Sequence, residues 1–413
     1  MWKKPWGYAE GWVICTGLFF TGIILQLTIG KVAVDVFHFP TNLLSGILLI
    51  LLLLFLHTYS RKGRVLQWFS GIEASITSIS SLLFLVIVMG LTRQSPPSAD
   101  LSAESGFVRL GFVQMTVSWP FVLLFLYFLF ILGLVILRKL KRFNPKKDIG
   151  FMLNHAGLFI ALFAAILGSG DLQRLQMTVP VEAPEWRATD ENGKMVELPL
   201  AIELKSFTID EYPPKLLIID NSTGSILPEK QPDNILAEAV PVKGNLLDWE
   251  VEVTDYLPSA AAMITKDTVS FKEFHSEGAT SALYVRARNK ADGSLREGWI
   301  SCGSYMFQYI SLRLNDKVSI IMPDREPKRY ASDVIVYVKD REKKEHTIEV
   351  NKPLSVSGWK IYQLSYDQRM GKWSKTSVFE LVKDPWLPIV YTGIIMMLAG
   401  AVYLFVSAPV KSE

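Results

Sequence analysis

Long apolar runs dominate the first 170 residues, give way to short alternating ones, and return once near the C-terminus. They predict membrane helices at about residues 12–30, 41–59, 74–91, 119–137 and 151–169, with a sixth at 387–406. Each holds roughly the 17–25 residues that an α-helix needs to cross a hydrocarbon core of about 30 Å. No water is present there to satisfy the backbone, so such spans must be helical. Between the fifth and the sixth lies a polar block, Gly170–Trp386, which is more than half of the chain.

Inside that block the pattern shortens to strand period from about Val196. Leu200–Ile209, Lys215–Ile219, Trp249–Tyr256, Ala282–Arg288, Tyr305–Arg313, Val334–Val338, Thr347–Val350 and Lys360–Tyr366 read as strands. Turn signals separate them: Asn192-Gly193, Pro213-Pro214, Asp292-Gly293 and Ser357-Gly358. Short strands at this spacing predict an antiparallel sandwich or barrel-like domain, and the lack of a long helix among them argues against a parallel fold. The expected fold class is therefore a polytopic α-helical membrane protein of about six spans, with a large extracytoplasmic all-β, sandwich-like domain inserted before the last span. Its parts are a membrane domain 1–169, a β-rich domain 170–386, and a C-terminal helix with a short tail, 387–413.

Charge sets the orientation. Lys3 and Lys4, then Arg61, Lys62 and Arg64, then Arg138, Lys139, Lys141, Arg142, Lys146 and Lys147 all fall on one side of the spans, and basic loops mark the cytoplasmic side. The 170–386 block is then extracytoplasmic, or periplasmic in a bacterial inner membrane, and Lys411-Ser412-Glu413 returns to the cytoplasm. The first span reads as a retained anchor, because no small-x-small cleavage site follows Gly30. Trp2, Trp6, Trp12, Trp119 and Trp386 sit at span edges, as interfacial rings do.

Half of the residues are hydrophobic, which argues against a soluble globular chain. The net charge of +3 gives no ground for nucleic acid, since the basic clusters are explained by topology. Of the two cysteines, Cys15 is expected inside the first span and Cys302 in the outer domain, so neither a disulfide nor a thiolate metal site is expected.

The chain has no phosphate-cradling glycine loop, no Gly-x-Ser-x-Gly elbow and no His-Glu-x-x-His pair. The five histidines can be weighed singly. His275 and His346 read as solvated surface, His38 as an interfacial residue of the first outer loop, and His57 as a headgroup-reaching end of span two. His155 differs, because it lies inside span five, in Asn154-His155-Ala156-Gly157-Leu158. An ionisable group there is costly and marks a candidate for function. Its imidazole can ligate haem iron or relay protons; alternatively, it can hydrogen-bond Asn154 or a serine of span three such as Ser75 or Ser78. Ala156 and Gly157 leave room for a flat macrocycle or for a neighbouring helix.

Tyr330-Ala331-Ser332-Asp333-Val334, Val350-Asn351-Lys352-Pro353-Leu354, Gly358-Trp359-Lys360-Ile361-Tyr362-Gln363-Leu364-Ser365-Tyr366 and Val382-Lys383-Asp384-Pro385-Trp386 together resemble the ResB family, also called CcsB. Asn154–Leu158 is similar to that family's histidine-containing span. The resemblance implies a subunit of the system II machinery that attaches haem to c-type cytochromes. It implies haem b as the handled substrate, apocytochrome c and a CcsA-type haem-handling membrane protein as partners, and it admits a thiol-reducing thioredoxin-like protein. His155 is then the expected axial ligand to haem iron. His57, at a similar depth, is the in-chain candidate for the opposite face, which the resemblance instead assigns to the partner. The haem lyase site itself is expected on the partner. The rival reading is a scaffold that stabilises the CcsA-type partner and docks apocytochrome without touching haem. This chain departs from the family's usual form in having five spans ahead of the outer domain, and it lacks the partner's tryptophan-rich motif.

Overall fold

The computed structural model describes residues 5–33, 36–59, 64–96, 99, 105–265, 268–339 and 343–407. Trp2, Lys3, Lys4, Arg61, Lys62 and Lys411–Glu413, used above for orientation and anchoring, lie outside the described residues. The helices in chain order are α1 (Tyr8–Ile29), α2 (Thr41–Tyr59), a short α3 (Arg64–Phe69), α4 (Ile72–Leu91), a short α5 (Gly106–Arg109), α6 (Trp119–Leu140), α7 (Pro145–Gly168) and α8 (Leu387–Val406). Six of them, α1, α2, α4, α6, α7 and α8, are long and apolar enough to cross a membrane, so the chain is a multi-pass membrane protein with a large all-β domain before its last helix. Their apolar residues are not confined to one buried stripe. Phe20, Ile24, Leu48, Phe55, Phe84, Ile395 and Phe405 are all exposed, as lipid-facing side chains must be.

Helix ends follow local chemistry. α1 starts at Tyr8, earlier than the hydropathy alone predicts, because the Glu10 carboxylate accepts the Gly7 N–H at 2.9 Å. α7 starts at Pro145, where a missing N–H costs nothing. Asp148 in its first turn accepts the Asn144 N–H at 3.0 Å.

Two compact units divide the chain: residues 1–174, 191–193 and 382–413 form one, and 175–190 with 194–381 form the other. In the first, α6 is the central helix, touching α1, α2, α4 and α7 and burying Leu124, Leu129, Ile131 and Leu134. The closest pairing is between α7 and α8, where glycines bring backbones together. A Cβ on Gly157 would lie 2.6 Å from the Gly393 carbonyl oxygen, and one on Gly400 would lie 2.9 Å from the Asn154 nitrogen. Without a hydrophobic drive between helices in lipid, such close approach is what holds a pair together. Gly157 thus makes room for a helix, which decides between the two uses the sequence left open for it.

The second unit is antiparallel β throughout its named strand ladders. An eight-stranded sheet runs in the order Lys344–Glu349, Pro327–Val338, Met195–Glu211, Glu185–Asp190, Gln173–Pro180, Thr376–Lys383, Trp359–Tyr366, Leu354–Val356. Its alternate residues Met177, Val179, Ile202, Leu204, Ile361 and Phe379 make one core. Two five-stranded sheets, built on Trp249–Thr265 and Lys215–Asp220, enclose a second core around Leu216, Ile218, Trp249, Val251 and Val285.

Two strand expectations are corrected. The sheet begins at Gln173 and not near Val196: the Leu175, Met177, Val179 alternation is buried although charged and polar neighbours mask it. Within Tyr305–Arg313 only Leu312–Arg313 is strand. Ser304, just before it, donates to the Gly278 carbonyl at 2.5 Å and accepts the Met306 and Phe307 N–H groups, so a serine turn replaces the ladder.

Candidate functional site

His155 sits near the middle of α7, half-buried, ten residues past Pro145 and thirteen before Gly168, slightly nearer the end that carries the basic 138–147 loop. Its Nδ1 lies 3.0 Å from the carbonyl oxygen of Phe151, one turn earlier. A carbonyl can only accept, so Nδ1 carries a proton; the neutral tautomer compatible with this contact has its lone pair on Nε2, the arrangement of a metal-ligating histidine. The Phe151 ring stacks on the imidazole with centroids 3.7 Å apart and planes 18° apart, which restricts its rotation. Lys139 lies 5.6 Å over the Phe151 ring and pairs with Asp148 at 2.7 Å. A single line of contacts thus runs from the basic loop to the histidine. The alternative hydrogen-bond partners fall away: Asn154 donates to Gly150, Ser75 to Gly71 and Ser78 to Ser75, each within its own helix.

The face of α7 turned from α8 meets α2 and α6. A Cβ on Gly46 of α2 would lie 2.7 Å from Leu167 and 3.0 Å from Phe163, and one on Gly133 of α6 would meet Leu53 at 2.6 Å and Phe159 at 3.3 Å. His57 is half-buried near the end of α2.

At the opposite end of the bundle the structure assembles a polar node that sequence reasoning missed. Asp171, just past α7, accepts the Phe39 N–H at 2.7 Å, the Asn42 amide at 2.7 Å and the Trp386 indole N–H at 2.7 Å. Asn42, fully buried in α2, also donates to the Leu167 carbonyl at 2.7 Å. Burial pushes the Asp171 carboxyl up, but the three donors and nearby His38 outweigh it and hold it below the usual aspartate value. Trp386 therefore does more than lie at an interface. The signal that could have found the node was Asn42, an amide placed in the first turn of an apolar span.

In the β unit the motif residues serve the fold. Ser332 donates to Gln363 Oε1 at 2.6 Å and meets Ser377 Oγ at 2.8 Å, bridging strands that are not neighbours in the sheet; Ser332 and Ser377 are fully buried. Asp333 accepts Ser206 and Thr347 hydroxyls, and Tyr366 stacks between Phe207 and Tyr330 at 5.0 and 5.6 Å. Ser357 and Gly358 both take positive φ, 50° and 84°, which a two-residue hairpin turn requires. Beyond these, Asp384 caps α8 by accepting the Trp386 and Leu387 N–H groups, each at 3.0 Å. His275 is exposed beside Glu273 at 3.6 Å, and His346 is half-buried on an edge strand. Cys15 is buried and Cys302 half-buried, both free thiols.

The comparison with curated proteins finds no match. Residues 277–376, about a quarter of the chain, match the model of the ResB-like family. That segment contains the Tyr330–Val334, Val350–Leu354 and Gly358–Tyr366 motifs, while Asn154–Leu158 and Val382–Trp386 fall outside it. The matched segment lies within the β unit, and its family is the one that the sequence motifs resemble.

Proposed function

We propose that this chain is a membrane subunit of the cytochrome c biogenesis machinery, passing haem b from the cytoplasmic side to the outer face and presenting apocytochrome c beside a CcsA-type partner. The observation that carries the reading is a ligand-ready imidazole inside a membrane helix of a chain with a segment that matches the ResB-like family. Ionisable groups are retained in spans where they have work to do, and His155, its Nδ1 committed to a carbonyl, offers Nε2 to iron. The basic residues 138–147 define the cytoplasmic end and supply cations for the haem carboxylates. A β domain tethered by the chain at both ends raises the local concentration of whatever apocytochrome it binds. The reaction that forms the covalent bond is assigned to the partner, and the location is a bacterial inner membrane with the β domain periplasmic.

A scaffold without haem contact is the second reading, favoured by the structural employment of Ser332, Asp333, Gln363 and Asp384. One absorption spectrum separates the two. The purified full chain should carry a Soret band that His155→Ala abolishes without loss of expression, and His155→Gly with added imidazole should recover part of it. A Soret band unchanged in His155→Ala leaves the scaffold. Maleimide labelling of Glu229→Cys in a Cys302→Ser background should occur from outside spheroplasts; protection there would overturn the orientation.

A further inference from the structure

The strand Trp249–Thr265 outruns the sheet it belongs to. Its ladder with Thr280–Asn289 ends at Ala260, opposite Thr280. Its ladder with Thr268–Glu273 starts there, with Ala260 opposite Glu273, and runs on to Thr265 opposite Thr268. At about 3.4 Å per residue, the stretch Ala261–Thr265 and its partner form a two-stranded arm about 17 Å long. Among the described residues no strand pairs with the outer edge of Thr268–Glu273, and none with the other side of Ala261–Thr265.

Residues paired across an antiparallel ladder share a face, and the face alternates along each strand. Ala262 and Phe271 pair, and both belong to the apolar cluster of Ala260, Ala282, Trp299 and Ile310. The Phe271 ring lies 5.6 Å from that of Trp299. The next pair on that face, Ile264 and Val269, leaves the cluster, and these side chains are 65% and 37% exposed. An apolar strip therefore runs from a covered end to an open one.

Open edges are normally guarded by charge, proline or a bulge, because they template another strand. Here the ladder has no register shift, and Thr268-Val269-Ser270-Phe271 holds neither charge nor proline. A two-stranded arm is also marginal in water, and a third strand stabilises it. Lipid cannot cover the arm, because unpaired backbone groups find no partner in hydrocarbon. A strand can, since main chain meets main chain while alternate side chains settle on the apolar strip. Only an extended chain pairs in this way, so the edge distinguishes a polypeptide that has not folded from one that has.

We propose that the outer edge of Thr268–Glu273 receives an extended segment of apocytochrome c as an added strand, whose alternate apolar side chains cover Ile264 and Val269. The strand site rests on the reading that the β domain presents apocytochrome c, and it adds the mode: capture through the main chain, and release when the client folds. The arm lies outside residues 277–376, so the match to the ResB-like family does not include it.

The test adds apocytochrome c, freed of haem and with its cysteines alkylated, to the full chain in detergent micelles. Hydrogen exchange read by mass spectrometry should show new protection of alternate amides in Thr268–Glu273, those that point away from Trp249–Thr265. The folded holocytochrome should give none. Replacing Ile264–Val269 by Asn-Gly, a two-residue hairpin turn, removes the exposed pair and keeps Ala260–Met263 opposite Ser270–Glu273. With those side-chain and main-chain contacts gone, affinity for apocytochrome should fall about ten-fold or more. Ile264→Lys, a change at a side chain already in solvent, should weaken binding in the same direction and serves if the shortened arm fails to fold. Binding without protection at Thr268–Glu273, equal protection by holocytochrome, or affinity unchanged in a folded variant overturns the strand site while leaving the presenting role. No binding by the wild type overturns the presenting role itself. Protection that rises with the concentration of the full chain alone gives the edge to a second copy and overturns the proposal.

Discussion

Gly393→Val tests the account of the α7–α8 pair. A Cβ at this position would lie 2.5 Å from the Gly157 carbonyl oxygen, 2.6 Å from the Ala161 nitrogen and 2.9 Å from its Cα, where ordinary contact is 3.4–4 Å. All three atoms are backbone, so no side chain can swing aside. The helices must separate by about 1 Å, and a gap of that order forfeits about a quarter to a half of the contact energy of the atoms along it. Overpacking of this kind costs about 1–3 kcal/mol, and valine adds two methyl groups beyond the Cβ. A loss near the upper end, about 2–3 kcal/mol, follows; it is roughly a thirty-fold or larger shift in the unfolding equilibrium. The control is Gly17→Val, because nothing lies within 4 Å of a Cβ there. Sodium dodecyl sulfate titration in mixed micelles, read by tryptophan fluorescence, measures both. Equal unfolding midpoints for the two variants would refute close backbone packing as the source of α7–α8 association.

The remaining predictions concern hydrogen bonds. Asn42→Leu removes the two that Asn42 donates to α7 and Asp171, each worth about 0.6 kcal/mol and at most about 1.7 kcal/mol within a membrane, and the same titration should show a loss in that range; no loss would make the node incidental. The Asp171 carboxyl, held below its usual value in the folded chain, stabilises the fold above the unfolded value of about 3.9, and that contribution disappears as pH falls through the folded one. In a His38→Gln background, the difference between the parent and Asp171→Asn should therefore be constant from about pH 5 to 8 and shrink below about pH 4; a difference that changes near neutrality there would refute the assignment. Ser332→Val leaves Gln363 and Ser377 short of a partner and should destabilise the β unit by about 1–3 kcal/mol in thermal unfolding, whereas a neutral outcome would remove the bridge from the fold's support.

The membrane helices were legible because lipid imposes one rule on about twenty consecutive residues; α1 and α7 start before the hydropathy limits where Glu10 and Asp148 hold their first turns, and α6 runs on through Arg138–Leu140. The strands were legible where apolar alternation was clean, as in Leu200–Ile209 and Trp249–Tyr256. They were lost at Gln173–Pro180, where an arginine and two glutamines occupy the outward positions, and were over-read at Tyr305–Arg313, where exposed aromatics imitate a core. His155 could be singled out because a membrane magnifies one polar side chain. Its tautomer depends on the Phe151 carbonyl, and the helix itself supplies that partner. Of the Asp171 node the sequence offered only Asn42 as a signal; its partners could not be named, since Asn42 and Trp386 meet Asp171 only through folding across more than 120 and 200 residues of chain.

The glycine-lined α7–α8 contact also governs how the protein can be made. α7 leaves the ribosome more than two hundred residues before its partner, with the whole β unit between them. At roughly 5–20 residues per second, synthesis of that interval takes on the order of ten to forty seconds. For all that time the groove of Gly150 and Gly157 faces lipid or another protein, and the indole that will meet Asp171 does not yet exist. The membrane bundle is therefore finished last, by its final helix, after the intervening domain has been synthesised. A nascent chain stalled anywhere between residues 169 and 386 would leave α7 without the helix that fills its glycine groove.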